Sequence, residues 1–141
     1  MPISRRSELL SWAYELSNYD IKYDTKNMTN CRFIIEDDYD SDYRYQGNSI
    51  PALQGFDTKD CVLYIGTFSR SLSPSMRVGY LVLPKRLMKV FCQDLSYYSN
   101  TVSRIEQFVL NKFICDKHFE RHINRTRKLY EQRRNVLIKE L

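Results

Sequence analysis

The sequence predicts an α/β fold in which strands come first and helices follow, built around an incomplete sheet of three strands. Three apolar runs, at residues 32–36, 61–66 and 77–83, are rich in β-branched or aromatic residues, as is typical of strands. From Lys85 onward, apolar residues recur at helical spacing. Two of the strands are apolar on both faces and need covering layers that a chain of 141 residues barely supplies. We therefore expect the chain to be part of a larger domain.

A helix and a polar loop are expected before the first strand. Apolar residues at helical spacing predict a helix from Ser4, its predicted N-cap, to about Leu16. Residues 17–30 are polar and show no clear period, which predicts an exposed loop. The first strand, at residues 32–36, ends directly in a run of acidic residues.

Only ten residues, 67–76, separate the second strand from the third. They include Ser, Thr and Pro rather than a helical pattern. A parallel crossover needs roughly a dozen residues or more, so an antiparallel or irregular connection is favoured. Residues 43–60, before the second strand, are predicted to be mostly loop because Gly and Pro interrupt them.

Residues 84–141 are predicted to be helical. The expected apolar stripes are Leu87, Met88, Phe91, Cys92 and Leu95, then Ile105, Phe108, Val109, Lys112 and Phe113, and last Phe119, Ile123, Leu129, Tyr130, Val136 and Leu137. Thr101 or Ser103 is expected to cap the second of these helices. The chain is thus expected to divide into a strand-containing part, about 1–83, and a helical part, about 84–141.

The composition excludes several classes of protein. Hydrophobic residues make up 43% of the chain and aromatic residues 13%, which excludes intrinsic disorder. The sequence has no run of about 18 apolar residues that would predict a transmembrane helix, and its first residues lack the apolar stretch of a secretory signal. The four cysteines, Cys31, Cys61, Cys92 and Cys115, form no C-x-x-C pair and are expected to be reduced core thiols of a cytosolic protein.

The formal net charge of +5 comes from the C-terminal end of the chain. Residues 104–141 contain ten basic and five acidic side chains, whereas residues 1–103 contain twelve of each. A basic helix of this kind could face DNA phosphates. The candidate contacts are Arg121, Arg125, Lys128 and Arg134. No helix-turn-helix or zinc-finger pattern accompanies them, and the glutamates interspersed on the same helix favour a solvated, salt-bridged face instead.

The densest polar cluster runs from Glu36 to Tyr43, at the carboxyl end of the first strand. Ligands of α/β proteins bind at that edge of the sheet. Acids packed so closely would repel one another unless a cation or a proton donor lies near. A solvated acidic loop is one alternative. A calcium loop is another, since Asp38, Asp40 and Asp42 have the spacing, but the required Gly and closing Glu are missing.

A second polar cluster, at residues 66–77, follows the second strand and interleaves hydroxyl side chains with Arg70 and Arg77. Such a set suits an anion such as phosphate. The alternative is a loop whose Ser and Thr side chains cap its own backbone groups. This pattern alone does not distinguish the two.

The two clusters together are more specific than either alone. Residues 34–45, IIEDDYDSDYRY, resemble the aspartate motif of fold-type I pyridoxal-phosphate enzymes, and residues 64–80, YIGTFSRSLSPSMRVGY, resemble their cofactor-lysine segment. Both motifs, with the opening residues MPISRRSELL, resemble the aminotransferase-like domain of MocR-type GntR regulators. The resemblance covers nearly the whole chain and is weakest at residues 18–30.

The resemblance implies roles for the residues at the motif positions. Asp37 would pair with the protonated pyridine nitrogen of pyridoxal phosphate, and Tyr39 would hydrogen-bond its phenolic oxygen. Thr67, Ser69 and Arg77 would hold the phosphate group, Arg77 through a bidentate, charge-assisted contact.

Arg70 stands at the position of the family's Schiff-base lysine. A guanidinium stays protonated at physiological pH and cannot form a Schiff base, so covalent attachment of the cofactor and ordinary transamination would be lost. The alternative is that the cofactor binds non-covalently, with Arg70 in contact with its phosphate or its carbonyl side. We expect this chain to be inactive as an aminotransferase.

The resemblance implies a fragment of the pyridoxal-phosphate-binding effector domain of a GntR/MocR-type transcriptional regulator. In that family a separate N-terminal winged helix, absent from this sequence, binds DNA, and the aminotransferase-like part senses the cofactor or an amino acid or amine. A cytoplasmic homodimer with no membrane contact is expected. The alternatives are a fragment of a true class I/II aminotransferase and a cofactor-free interaction module derived from the same fold.

A metal site is not expected. Cys115, His118 and His122 form a string whose spacing suits zinc ligands. The H-E-x-x-H pattern is absent, and the basic neighbours of these residues would oppose a dication.

Overall fold

The computed structural model describes residues 2–15, 32–39, 41–43 and 51–141. The helices and strands in chain order are α1 (Ile3–Glu15), β1 (Ile34–Asp38), β2 (Val62–Thr67), α2 (Phe68–Ser71), β3 (Gly79–Val82), α3 (Lys85–Asp94), α4 (Arg104–Cys115) and α5 (His118–Glu140). Two short 3-10 turns lie at Ser41–Tyr43 and Leu53–Phe56. The predicted α/β class, with strands before the long helices, is confirmed. The predicted loop 17–30 lies outside the described residues.

The chain divides into two compact units. The first comprises Met1–Asp38, Ile50–Gly66 and Tyr80–Ser99, and so holds α1, β1, α3 and most of β2 and β3. The second comprises Tyr39–Ser49, Thr67–Gly79 and Asn100–Leu141, and so holds α2, α4 and α5.

The sheet of the first unit has the strand order β1-β2-β3. β1 and β2 are parallel, with Ile34 opposite Val62 and Asp38 opposite Gly66. This register places Glu36 and Asp37 inside the strand. The predicted strand 32–36 is therefore displaced by two residues, because pairing with β2 begins only at Ile34.

β3 is the other neighbour of β2. The Phe68 N–H, just after β2, donates to the Val78 carbonyl, just before β3, at 2.9 Å. One step into the sheet, Gly66 lies against the ring of Tyr80. The two strands therefore run in opposite directions, as predicted from their short connection.

The core of the first unit forms where α1 covers the sheet. Leu10 of α1, Leu53 of the second 3-10 turn and Val62 of β2 make one buried cluster. Tyr14 and Ile34 pack against it at its edge. The apolar residues that predicted α1 therefore bury one stripe of a helix against a strand.

Much apolar surface stays exposed, as expected for an incomplete domain. All four residues of β3 are exposed, although its sequence predicts a strand apolar on both faces. The large apolar residues that are exposed on α3, α4 and α5 are Met88, Phe91, Ile105, Phe108, Val109, Ile114, Leu129, Tyr130, Val136, Leu137 and Ile138, and Leu95, the C-cap of α3, is exposed as well. A stripe at helical spacing predicted each helix correctly but did not predict a buried face.

Two details before β3 differ from the sequence prediction. α1 begins at Ile3, so Ser4 lies in its first turn and is not the N-cap. Residues 68–71, predicted as loop, form the short helix α2, because the Thr67 side chain accepts the Ser69 N–H at its start. The N-cap hydroxyl of Thr67 stabilises this turn. The turn has no apolar periodicity from which it could have been predicted.

The three helices predicted after residue 84 are confirmed. Ser103 is the cap of α4: its hydroxyl accepts the Glu106 N–H at 3.2 Å, and the Glu106 carboxylate accepts the Ser103 N–H at 3.2 Å. This reciprocal pair is a capping box. Lys117, in the left-handed region with φ 58°, separates α4 from α5. None of the helices in the described part of the chain is long and apolar enough to cross a membrane.

The cysteines are not all core residues, contrary to the prediction. Cys61 is buried at the start of β2. Cys92 and Cys115 are exposed, because the apolar stripes of α3 and α4 are themselves uncovered. Cys31 lies outside the described residues.

Candidate functional site

A pocket of about 790 Å³ in the second unit brings together five of the six residues that the motifs predicted. They are Tyr39, Thr67, Ser69, Arg70 and Arg77. Thr67 ends β2 and caps α2, Ser69 and Arg70 lie in α2, Arg77 lies between α2 and β3, and Tyr39 directly follows β1. The site volume lies within the range of about 300–1,000 Å³ that is usual for small-molecule pockets.

Asp37, the sixth predicted residue, belongs to the first unit. It lies on β1 opposite Ile65 of β2, and its side chain is exposed. Successive side chains of a strand point to opposite faces. Asp37 therefore faces away from Glu36 and Asp38, its acidic neighbours in the strand.

The acidic residues of β1 have separate partners and do not form one repelling cluster. The Glu36 carboxylate accepts the first two N–H groups of the 3-10 turn Leu53–Phe56, at 2.8 and 3.0 Å, and lies 3.6 Å from the Arg6 guanidinium. Asp38 accepts the Tyr64 hydroxyl at 2.6 Å. Burial, together with this bond, raises the pKa of Tyr64 well above its usual value, so its proton stays in place. Both carboxylates thus stabilise the first unit.

Arg70 projects over an aromatic ring. Its guanidinium carbon lies 4.9 Å from the centroid of the Tyr39 ring, which is the geometry of a cation–π contact. None of the described residues that line the pocket is a lysine. At the position where the resemblance places an amine, the pocket has a fixed positive charge.

The two hydroxyls predicted to hold phosphate also bond to their own backbone. Thr67 Oγ1 accepts the Ser69 N–H at 3.1 Å and lies 3.4 Å from the Val78 carbonyl oxygen. Ser69 Oγ donates to the Met76 carbonyl at 2.7 Å. Since a hydroxyl has one proton, Ser69 would have to give up that bond to donate to an anion. The Arg77 guanidinium is exposed and can donate to an anion without first giving up a bond of this kind.

One face of α5 lines the same pocket, which the sequence analysis missed. His122, Thr126 and Tyr130 follow one another at intervals of four residues and lie on a single face. The signal was present as a polar or aromatic residue at every fourth position. The sequence prediction for this helix considered its basic residues and its apolar stripe, and so did not identify this third face.

Tyr43, the last residue of the acidic cluster, was assigned no role from the sequence, but it connects two parts of the pocket wall. Its hydroxyl contacts the carbonyl oxygens of Arg70 at 3.3 Å and Ser71 at 3.2 Å, and its ring meets the edge of Tyr130 at 5.5 Å. Just before it, the Asp42 carbonyl accepts two bonds from the Arg127 guanidinium, at 3.0 and 2.8 Å. The 3-10 turn Ser41–Tyr43 thereby joins the backbone at residue 70 to α5.

This donor set fits part of the cofactor that the motifs imply. Two guanidinium groups, Arg70 and Arg77, with nearby hydroxyls, suit a phosphate ester. The ring of Tyr39 is exposed enough for its hydroxyl to reach a ligand. An amine for covalent attachment is not among the described lining residues. Within the described ranges, no three His, Cys, Asp or Glu side chains are grouped to hold a metal ion.

Comparison with known proteins gives two sets of relatives, although no family model matches the chain. The chain is 44% identical over 138 residues to an uncharacterized HTH-type transcriptional regulator, YdeL, of Bacillus subtilis, covering 98% of this chain and 27% of that protein. It is 41% identical over 106 residues to the probable rhizopine catabolism regulatory protein MocR of Rhizobium meliloti, covering 75% and 22% respectively.

The solved structures add the fold. Kynurenine aminotransferase of Pyrococcus horikoshii, in complex with PMP, matches 99% of this chain and 31% of its own, with a TM-score of 0.71 and 30% identity. This chain resembles MocR-type regulators and has part of the aminotransferase fold. This chain spans about a quarter of the length of these curated relatives and about a third of the length of that aminotransferase. The predicted resemblance and the predicted partial fold are both confirmed.

Proposed function

We propose that the chain is a segment of the effector domain of a MocR-type regulator, and that its pocket binds a phosphorylated pyridine cofactor without covalent attachment. The observation that carries the proposal is the convergence of Tyr39, Thr67, Ser69, Arg70 and Arg77 on one pocket. The regulator relatives support the effector role. The PMP in the aminotransferase complex supports the class of ligand.

Each residue has a proposed task. Arg77 holds the phosphate ester with two parallel N–H bonds, and Thr67 and Ser69 add hydroxyl donors after rotation from their backbone partners. Tyr39 donates its hydroxyl to the phenolic oxygen of the ligand. Asp37 is assigned to the pyridine nitrogen by its motif position alone. The cofactor, when bound, supplies an electron-withdrawing ring.

Because residue 70 is an arginine, the pocket can bind the cofactor without catalysing transamination. The guanidinium of Arg70 keeps its proton at any physiological pH, so residue 70 can neither form a Schiff base nor move a proton to or from a substrate carbon. Its positive charge still attracts the anionic ligand. We therefore propose that the pocket senses the cofactor, or a cofactor adduct of an amino acid or amine, and does not turn substrate over.

The remaining roles concern the whole regulator. DNA binding is assigned to a winged-helix part outside this segment, since the relative YdeL is named as an HTH-type transcriptional regulator. We propose a cytoplasmic homodimer, as expected from the aminotransferase-like fold. In this scheme the basic helix α5 has no role in contacting operator DNA.

Reductive trapping tests the proposal at residue 70. The chain is incubated with pyridoxal phosphate, reduced with borohydride and digested. The mass of the peptide that contains residue 70 is then measured by mass spectrometry. We expect no adduct on that peptide in the native chain and an adduct in Arg70→Lys, because only the lysine has a nucleophilic amine. A modified native peptide, or turnover with an amino acid, would contradict the proposal.

Equilibrium dialysis with pyridoxal phosphate tests non-covalent binding. Arg77→Ala should weaken binding by about 10–100-fold, since a hydrogen bond to a charged group contributes about 1.5–3 kcal/mol. Arg104→Ala is the matched control, because it removes an exposed guanidinium of the same unit that does not line the pocket. If neither the native chain nor Arg70→Lys binds while both stay folded, the cofactor-free interaction module is favoured.

A further inference from the structure

A second cavity, of about 390 Å³, lies at the corner where α4 ends and α5 begins. The described residues that line it are Phe113, His118, Arg121, His122 and Arg125. Four of these five side chains carry nitrogen donors. We propose that this cavity binds a small oxyanion, namely a phosphate or carboxylate group.

The Arg121 guanidinium is held in place before any ligand arrives. Its Nε donates to the Lys117 carbonyl at 3.2 Å and its Nη2 to the Asp116 carbonyl at 3.1 Å. These carbonyls belong to the connection between α4 and α5. An arginine already fixed by backbone acceptors loses little side-chain entropy when it binds an anion.

Arg121 fixes the tautomer of His118. The Arg121 Nη2 lies 3.0 Å from His118 Nδ1. A guanidinium nitrogen can only donate, so Nδ1 accepts, and the proton of the neutral imidazole sits on Nε2. The ring of His118 stacks on Phe113, with centroids 5.7 Å apart and an interplanar angle of 26°. The neutral His118 ring therefore has a single N–H donor, at Nε2, and the stacking on Phe113 orients it.

Much of the lining surface of this cavity is apolar, but its polar groups are mainly hydrogen-bond donors, which favours a ligand that brings acceptors. Arg125, one turn after Arg121 on α5, adds an exposed guanidinium. The acidic residues nearby in sequence, Asp116 and Glu120, are not among the described lining residues. A ligand that brings oxygen lone pairs and negative charge satisfies these donors, whereas a cation or a neutral donor would not. The volume suits one small group and not a stretch of duplex DNA.

His122 lines both this cavity and the larger pocket, whereas His118 lines only this one. They are the only two histidines of the chain. The two imidazole spectra therefore distinguish the sites: a ligand in the larger pocket perturbs His122 alone, and a ligand in the second cavity perturbs both. The proposed cofactor pocket can thus fail its own test without affecting this one.

The experiment follows both imidazoles by two-dimensional 1H–15N NMR at constant pH. Inorganic phosphate and acetate are titrated separately, with sodium chloride at matched ionic strength as the control. We expect His118 and His122 to shift together and to saturate with phosphate, acetate or both, and not with chloride. The better of the two anions shows whether the cavity prefers phosphate or carboxylate.

Variants locate the site. Arg125→Ala should weaken anion binding by about 10-fold or more, because it removes a charge-assisted donor. Lys128→Ala, which removes a positive charge of the same helix outside the cavity, should leave it unchanged. Amide spectra show whether each variant is folded.

Several outcomes would overturn the proposal. Shifts of His122 alone would assign the anion to the larger pocket, and equal shifts with chloride would show general screening. An Arg125→Ala variant that binds as well as the native chain would remove the cavity from the interaction. A DNA duplex that shifts both imidazoles when neither small anion does would identify a nucleic-acid surface instead.

Discussion

The guanidinium carbon of Arg70 lies 4.9 Å from the centroid of the Tyr39 ring. The backbone of Arg70 is held as well, since its carbonyl oxygen is 3.3 Å from the Tyr43 hydroxyl. Two tyrosines of one short segment therefore hold residue 70, one through its side chain and one through its main chain. Residue 70, which the motif resemblance aligns with a Schiff-base lysine, is therefore held at both its side chain and its main chain.

Tyr39→Leu should lose the contact with Arg70, whereas Tyr39→Phe should keep most of it, because the attraction comes from the ring face. At an exposed site the expected loss is about 0.5–1 kcal/mol of unfolding free energy. Urea denaturation of both variants measures it. In an Arg70→Ala background the two variants should become equal, and an unchanged difference there would exclude the cation–π contact as its cause.

Tyr43→Phe should lower the unfolding free energy by about 1 kcal/mol, because it leaves the carbonyls of Arg70 and Ser71 without a buried hydroxyl. The contact of the Tyr43 ring with Tyr130 is kept in this variant. Tyr130→Phe is the control, since it also preserves that ring contact. Equal stability of both variants in urea would mean that the Tyr43 hydroxyl contributes nothing.

The sequence predicted the parts of the site that depend on short motifs. Tyr39, Ser69 and Arg77 were assigned because two segments resemble motifs of fold-type I pyridoxal-phosphate enzymes, and the structure places the three residues at one pocket. That resemblance rests on residue order within two short segments, each of which contains a strand end and the turn that follows it. The acidic and hydroxyl clusters therefore carried most of the predictive information.

The sequence did not predict what depends on contacts far apart in the chain. The contribution of His122 to the pocket requires α5 to pack beside residues 67–77, and no local pattern specifies that packing. The same holds for the bond from Arg127 to the Asp42 carbonyl, which spans 85 positions. The exposure of Cys92 and Cys115 was missed because periodicity predicts a helix but not what covers it.

Asp57 organises the turn before β2, and its protonation should set part of the acid stability. Its carboxylate accepts the Tyr14 hydroxyl at 2.8 Å and the N–H groups of Lys59, Cys61 and Val62. Partial burial acts to raise the pKa of Asp57, but these hydrogen bonds outweigh it and hold the pKa below its usual value. The stabilisation is therefore complete above the unfolded-state pKa of about 4 and is lost as the pH falls through the lower folded-state value.

Asp57→Asn should cost about 1–2 kcal/mol near pH 7, at the low end for such a group because the carboxylate is partly solvated. The cost should shrink as the pH is lowered toward the folded-state pKa. Urea unfolding at a series of pH values measures this. Asp60→Asn is the matched control, because asparagine tolerates the left-handed φ of 54° at that position. A pH-independent difference between Asp57→Asn and the native chain would refute the titration of Asp57.

Gly66 lies directly against the Tyr80 side chain where β2 meets β3. A Cβ on this residue would overlap the end of the Tyr80 ring. That ring is 40% exposed and can swing outward, but it would then leave the ring of Tyr64, whose centroid is 6.0 Å away. Gly66→Ala should therefore cost about 1 kcal/mol, the scale of a lost aromatic pair, despite the gain of about 0.5–1 kcal/mol that alanine usually brings to a strand.

The cost should depend entirely on Tyr80. In a Tyr80→Ala background the added methyl group has room, so Gly66→Ala should become neutral or stabilising. Urea denaturation of the four members of this double-mutant cycle measures the coupling directly. If Gly66→Ala costs the same in both backgrounds, the clash with Tyr80 is not its cause, and the backbone of β2 itself must reject a side chain at that position.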